Sequence, residues 1–372
     1  MVYTDTMRIL IVPLILRNTM EANACFTREL AELLVRSGHS TAVSAPKDIR
    51  LSGVSLHPCP VTKKPFLIRA DGRSYEEWMY NNGCLQQKYL QEDTDHLIRT
   101  IDAFHPDVMI VMDRPAACIA ARVRSIPVCA WVHPAMYRSK TPPYKLLKGL
   151  NAVLSSFRLE QEHTLAALYN RCRSRVSPGT ADTAGFRKES DISRIGVIRA
   201  YPLRPSNSGD PLILLGNTEK NTSSLRSVIK ETFGGAPYPV YAWVDGVKNE
   251  QIGYLQFLQK PPVSRIPSAS VLIHDGNTAL YHQAAACGIP QIIVTDHTYS
   301  RIWNGQTAQR CGIGLYLFEE ELTVSGLYEA YRQICSDDRF AENTRRMREE
   351  ALRLGDLEKI IPVLEQIRRK QN

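Results

Sequence analysis

Ile273-His274-Asp275-Gly276-Asn277-Thr278-Ala279-Leu280-Tyr281-His282-Gln283-Ala284-Ala285-Ala286-Cys287-Gly288-Ile289-Pro290-Gln291-Ile292-Ile293-Val294-Thr295 carries both punctuation and periodicity. Just ahead of it, residues 269–273 are short, apolar and β-branched, the pattern of a strand buried on both faces of a parallel sheet. A turn of small polar residues follows, with Asn277 or Thr278 placed as a helix N-cap. Good helix formers then run to Gly288, a C-terminal cap with Pro290 just beyond it. Residues 291–294 read as the next strand. Such a strand-turn-helix-strand unit leaves helical N–H groups unpaired at the carboxyl end of a strand, where open α/β sheets hold anionic ligands such as a diphosphate.

The rest of the chain is compatible with that unit repeated. Its 372 residues suffice for two domains, and 44% hydrophobic with 23% charged residues is the composition of a folded globular protein. A net charge of +8 favours anionic partners, but no nucleic-acid-binding motif accompanies it. The nine cysteines are scattered without Cys-x-x-Cys pairs, as expected for reduced thiols in the cytoplasm. The apolar run at 9–16 is short and broken by Pro13, which predicts a first strand and not a signal peptide or membrane span.

Taken in order, residues 8–16 predict a strand, 22–37 a helix, 41–44 a strand and 74–104 a long helix. Residues 108–112 form a buried strand ending at Asp113, and 127–132 another ending at His133-Pro134. Those two side chains are expected on one rim of the sheet. Residues 137–175 are basic and amphipathic: a solvated helix face over the core, or a docking surface for an apolar or lipid-linked acceptor and a peripheral membrane contact through 137–158. A Pro/Ser/Asn/Gly-rich linker at 202–209 precedes a second domain. That domain opens at 211–218 with a strand and a polar turn containing Gly216, Asn217 and Thr218. A helix at 223–232 and a strand at 240–244 follow, and after residue 315 helices at 322–335, 340–354 and 357–370 close the chain.

The 273–295 stretch resembles the donor-binding signature of nucleotide-sugar-dependent glycosyltransferases of the GT-B architecture. Its continuation, 300–304 through 311–314, is similar to the enzyme that adds N-acetylglucosamine to the lipid-linked peptidoglycan precursor and to macrolide and flavonoid glycosyltransferases. The resemblance implies an α/β protein of two Rossmann-like domains facing a cleft. The N-terminal acceptor domain would span 1–201, the linker 202–209 and the donor domain 210–355, with 356–372 crossing back to the first domain. Two features depart from the family: Gln283 stands where an acidic residue usually grips the ribose, and the 274–288 spacing is one residue longer than in the plant-type box.

What the resemblance implies is metal-independent, inverting transfer of a sugar from a nucleoside diphosphate, with uridine favoured, to a small-molecule or lipid-linked acceptor. No cofactor is implied beyond the nucleotide-sugar co-substrate, and the protein would be cytoplasmic or peripheral at the inner face of the membrane. Donor contacts fall on Gly216, Asn217, Thr218, Lys260, His274, Gly276, Asn277, Thr278, Gln283, Asp296 and Arg301. Each has a plainer alternative: a core histidine, a helix cap, a turn, or loop polarity. The base is Asp113, Glu21 or His133, because residues 17–23 lack the loop histidine that plant-type relatives use. Asp113 has its own plain alternatives, capping a helix or pairing with Arg114. A nucleotide-sugar 2-epimerase and a non-catalytic nucleotide-sugar-binding homologue are the competing readings.

Overall fold

Strands with no polar alternation need helices on both faces, and the chain supplies them in turn. The computed structural model describes residues 6–16, 21–49, 51–63, 70–138, 142–185, 191–196, 210–216 and 220–369. It divides into two units. The first contains β1 (Arg8–Pro13), α1 (Ala22–Arg36), β2 (Ser40–Ala45), β3 (Ser55–Pro58), α2 (Tyr75–Asn81), α3 (Gln87–Phe104), β4 (Val108–Met112), α4 (Pro115–Val123), β5 (Val128–Trp131), α5 (Tyr144–Ser156), α6 (Leu165–Asn170), β6 (Ser174–Pro178) and β7 (Ile192–Ile195). Its sheet is parallel in the order β3-β2-β1-β4-β5-β6-β7.

The second unit takes the short α7 (Ala181–Ala184), then β8 (Leu212–Leu215), α8 (Thr222–Phe233), β9 (Val240–Val244), β10 (Glu250–Ile252), β11 (Leu255–Phe257), β12 (Leu272–His274), α9 (Thr278–Cys287), β13 (Gln291–Thr295), α10 (Tyr299–Arg310), β14 (Gly314–Phe318), α11 (Val324–Ser336) and α12 (Asp338–Leu354). Its order is β10-β11-β9-β8-β12-β13-β14, parallel except for the β10–β11 hairpin. The last helix, α13 (Ile360–Arg369), belongs to the first unit. It packs against β4 and β6, and Arg368 Nη1 donates to the Thr6 carbonyl at 3.4 Å.

Several expectations are corrected. The long helix at 74–104 is two helices, interrupted at Gly83. There φ is +77° and a Cβ would lie 2.4 Å from the Lys63 carbonyl oxygen, so only glycine fits. Strand β7 ends at Ile195, and residues 197–198 lie outside the described residues; residues 179–185 group with the second unit. The linker 202–209 lies outside the described residues. In the basic amphipathic segment, Leu147, Leu150, Val153 and Leu154 of α5 are buried, and α5 packs on α3. Solvent meets Tyr144, Lys145 and Lys148. Among the described residues no helix is long and apolar enough to cross a membrane.

One buried ion pair ties the first unit together. Arg114, 1% exposed at the start of α4, donates Nε to Asp93 Oδ2 at 2.9 Å and Nη2 to Oδ1 at 2.5 Å. Its Nη1 donates to the Ser44 carbonyl at 2.7 Å. The pair joins α3, the entry to α4 and the end of β2.

Candidate functional site

β8, β12 and β13 lie side by side and parallel, so their carboxyl ends open on one edge of the second sheet. Each hands over to a polar turn. After β12, Gly276 has φ +74°, and a Cβ there would come 2.9 Å from Arg301 Cβ, so glycine lets α10 close on the turn. Asn277 caps α9, its Oδ1 accepting from the N–H groups of Ala279 at 2.8 Å and Leu280 at 3.4 Å. The Asn277 N–H donates to Asp275 Oδ1 at 3.2 Å, and Asp275 Oδ2 accepts from the Gly216 N–H at 3.3 Å. Asn304, buried on α10, donates Nδ2 to the Gly276 carbonyl at 2.9 Å and to Thr278 Oγ1 at 3.0 Å. Beyond β13, Asp296 accepts from the Thr298 N–H at 2.9 Å and pairs with Arg301 Nη1 at 3.0 Å. Three strand ends and two helix starts therefore form one hydrogen-bonded cluster.

Of the residues assigned to the donor, Gly216, His274, Gly276, Asn277, Thr278, Asp296 and Arg301 come together here. Asn217 and Thr218 lie outside the described residues. The helical N–H groups expected to be unpaired are in part already capped, because Asn277 takes two of them. Gly216 also has a packing reason, since a Cβ would meet the Trp243 ring at 2.3 Å. Lys260 stands exposed after β11, with β9 between β11 and β8. Gln283 is buried in α9.

His274 ends β12 with no exposed surface. Its Nε2 lies 2.9 Å from Gln291 Oε1, and its Nδ1 is buried with no hydrogen-bond partner among the described residues. Burial holds its pKa below the usual imidazole range, against the opposing pull of Asp275 and Gln291.

In the first unit, β1, β4 and β5 are neighbours, and Glu21, Asp113 and His133 follow their carboxyl ends. Asp113 has φ +52°, a left-handed backbone that a non-glycine residue keeps only where its surroundings hold it. Asn23 Nδ2 holds it, donating to Asp113 Oδ2 and to the Leu14 carbonyl, both at 3.0 Å. The Tyr75 hydroxyl also donates to it, and Tyr75 is 2.9 Å from the Tyr169 hydroxyl. Burial pushes the Asp113 carboxyl up, while Asn23 and Tyr75 draw it back. Neither plain role expected of Asp113 is observed: Arg114 pairs with Asp93, and Arg114 itself occupies the N-cap position of α4.

The other two base candidates each accept a backbone hydrogen bond. His133 Nδ1 accepts from the Ala135 N–H at 3.2 Å, so the neutral ring carries its proton on Nε2. Glu21 Oε2 accepts from the Leu16 N–H at 2.9 Å. Asn23, Tyr75, Asn304 and Gln291 were not singled out from sequence; of these only Gln291, a polar residue inside an apolar strand, carries a local signal. The sequence contains one Asp-x-Asp triplet, Asp93-Thr94-Asp95. It lies inside α3, with Asp93 held by Arg114 and Asp95 accepting from Gln91 Nε2 at 3.1 Å.

Residues 259–367 match the family model described as erythromycin biosynthesis protein CIII-like, C-terminal domain. Over 103 residues the chain is 32% identical to the aclacinomycin-T 2-deoxy-L-fucose transferase of Streptomyces galilaeus, covering 27% of this chain and 23% of that protein. Over 105 residues it is 32% identical to the erythronolide mycarosyltransferase of Saccharopolyspora erythraea, covering 28% and 25%. These matches span about a quarter of the length of the curated relatives. Among solved structures, spinosyn rhamnosyltransferase SpnG superposes with a TM-score of 0.75 at 15% identity, covering 97% of this chain and 100% of that one. Glycosyltransferase VinC in complex with dTDP superposes with a TM-score of 0.73 at 14% identity, covering 98% and 100%. By these superpositions the chain has the GT-B fold of two Rossmann-like units, and its stretch 259–367 is similar to the erythromycin biosynthesis protein CIII-like C-terminal domain.

Proposed function

We propose that the protein is a glycosyltransferase that moves a sugar from a nucleoside diphosphate to a hydroxyl of a small polyketide- or macrolide-type acceptor, with inversion and without a protein-bound metal. The observation that carries this is the capped cluster at the ends of β8, β12 and β13, which presents buried His274 and paired Arg301 inside the family-matched stretch. The named relatives are sugar transferases, which favours transfer over 2-epimerisation, and VinC was solved with dTDP, so thymidine donors join uridine donors as first candidates. In the reaction the bond from the anomeric carbon to the diphosphate breaks as the acceptor oxygen attacks, and the acceptor proton passes to a base. Preorganised donors at the second-unit turn stabilise the departing charge. Asp113 takes the proton.

The buried apolar stripe of α5 supports a freely diffusing acceptor over a lipid-linked one. Peripheral membrane contact through 137–158 would rest on Tyr144, Lys145 and Lys148. The scattered cysteines fit the cytoplasm. A panel of thymidine and uridine diphosphate sugars, with and without macrolide aglycones, read by nucleoside diphosphate release, tests the whole reading. Release from no donor would remove it.

Two expectations sharpen it. His274→Ala and Thr278→Val should each weaken thymidine or uridine diphosphate by roughly 1.5–3 kcal/mol, the cost of a lost charge-assisted hydrogen bond. Unchanged calorimetric affinity in both would move the diphosphate away from this turn. Turnover should also survive EDTA; loss on chelation, restored by magnesium or manganese, would overturn the account of leaving-group stabilisation.

A further inference from the structure

Gln291 opens a strand of otherwise apolar character and has no exposed surface. In the parallel register Leu272 faces Gln291 and His274 faces Ile293, so His274 and Gln291 are diagonal neighbours on one face of the sheet. Both ends of the Gln291 amide are engaged. Its Nε2 donates to the Tyr281 carbonyl at 3.2 Å, and its Oε1 meets His274 Nε2 at 2.9 Å. A backbone carbonyl only accepts, which fixes the amide nitrogen towards Tyr281 and its oxygen towards the imidazole. That oxygen requires an N–H, so neutral His274 carries its proton on Nε2. What remains at Nδ1, the buried nitrogen without a partner, is a lone pair, which repels a phosphate oxygen.

Asp275 adjoins His274 in the chain, and Asp296 beyond β13 is paired with Arg301 from α10. On α9 the Tyr281 hydroxyl is pushed up by burial, and β8 sets Leu214 beside His274 in register. Lys220, in the turn after β8, donates Nζ to the Leu322 carbonyl at 2.7 Å. A proton on Nδ1 turns an acceptor into a donor for the anion.

We propose that Gln291 is a positioning residue of the donor site: it locks His274 in the Nε2–H tautomer, so the donor diphosphate is held by a doubly protonated His274 and its binding takes up one proton. This rests on the donor-site reading above. Burial keeps His274 neutral until the anion arrives. The dissociation constant of thymidine diphosphate should therefore rise about tenfold per pH unit above neutrality, the slope of a one-proton linkage.

The test uses the full chain labelled with ¹⁵N-histidine. Long-range proton–nitrogen correlation should show His274 as the Nε2–H tautomer without nucleotide and as the imidazolium with thymidine or uridine diphosphate. Calorimetry in two buffers of different ionisation enthalpy should register uptake of about one proton per site. Gln291→Glu supplies a carboxylate that charges the ring beforehand, and Gln291→Leu frees the neutral ring to present Nδ1–H. With nucleotide at saturation, proton uptake per bound site should collapse in both variants, a result that a merely structural Gln291 would not produce. An Nδ1–H tautomer in the free protein, or nucleotide binding without proton uptake, overturns the proposal and leaves the donor site standing. Nucleotide binding that leaves the His274 resonances unmoved, or no binding at all, overturns both.

Discussion

Asp113→Asn is expected to lower turnover by a factor on the order of 10²–10⁴ while leaving nucleoside diphosphate affinity nearly unchanged. The donor turn lies in the other unit, so the substitution touches only proton removal. Asp113 has what a base needs: a strand-end position, a left-handed backbone held by its neighbours, and a carboxyl raised by burial towards the working pH. The tuning gives a second readout. The Tyr75 hydroxyl lowers the Asp113 pKa, so Tyr75→Phe should raise it. A base works deprotonated, so the rising limb of the pH–rate profile should move to higher pH. Asp113→Asn within a few-fold of the parent, with Glu21→Gln or His133→Ala inactive, would transfer the role to that residue.

How much of this was legible depended on whether a signal is local. β4 and β13 are buried at every position and read directly from their apolar runs, and α9 was bracketed by its cap residues and Gly288. β3, with no buried position, offered no such run and was missed. Gly83 interrupts a helical pattern because of a carbonyl twenty residues upstream, which composition does not announce. At the site, the His274 turn was recognisable, but the reach of Asp275 to Gly216 and of Asn304 to Gly276 depends on which strands become neighbours. The tautomers of His133 and His274, which separate a base from a bystander and a donor from an acceptor, depend on single partners that only tertiary structure supplies.

Asp93→Ala should destabilise the first unit by about 3–5 kcal/mol, the range for stranding one member of a buried ion pair. Asp93 has no exposed surface and Arg114 only 1%, so the guanidinium would remain in the interior with the Ser44 carbonyl as its close acceptor. Burial by itself would lower the Arg114 pKa, yet the neighbouring Asp93 carboxylate more than reverses this, which marks the guanidinium as dependent on that one partner. Unfolding of a unit of this size should then begin roughly 6–20 °C lower. The double replacement Asp93→Leu with Arg114→Met removes both charges and should recover much of the loss, since apolar packing often equals a buried pair in stability. Because Arg114 follows Asp113 directly, the double variant also separates fold from chemistry: it should keep thymidine diphosphate affinity in the second unit, while turnover reports whether the backbone at Asp113 has moved. A single-variant loss below about 1 kcal/mol would place the pair among weak surface contacts and remove it as the tie between α3, α4 and β2.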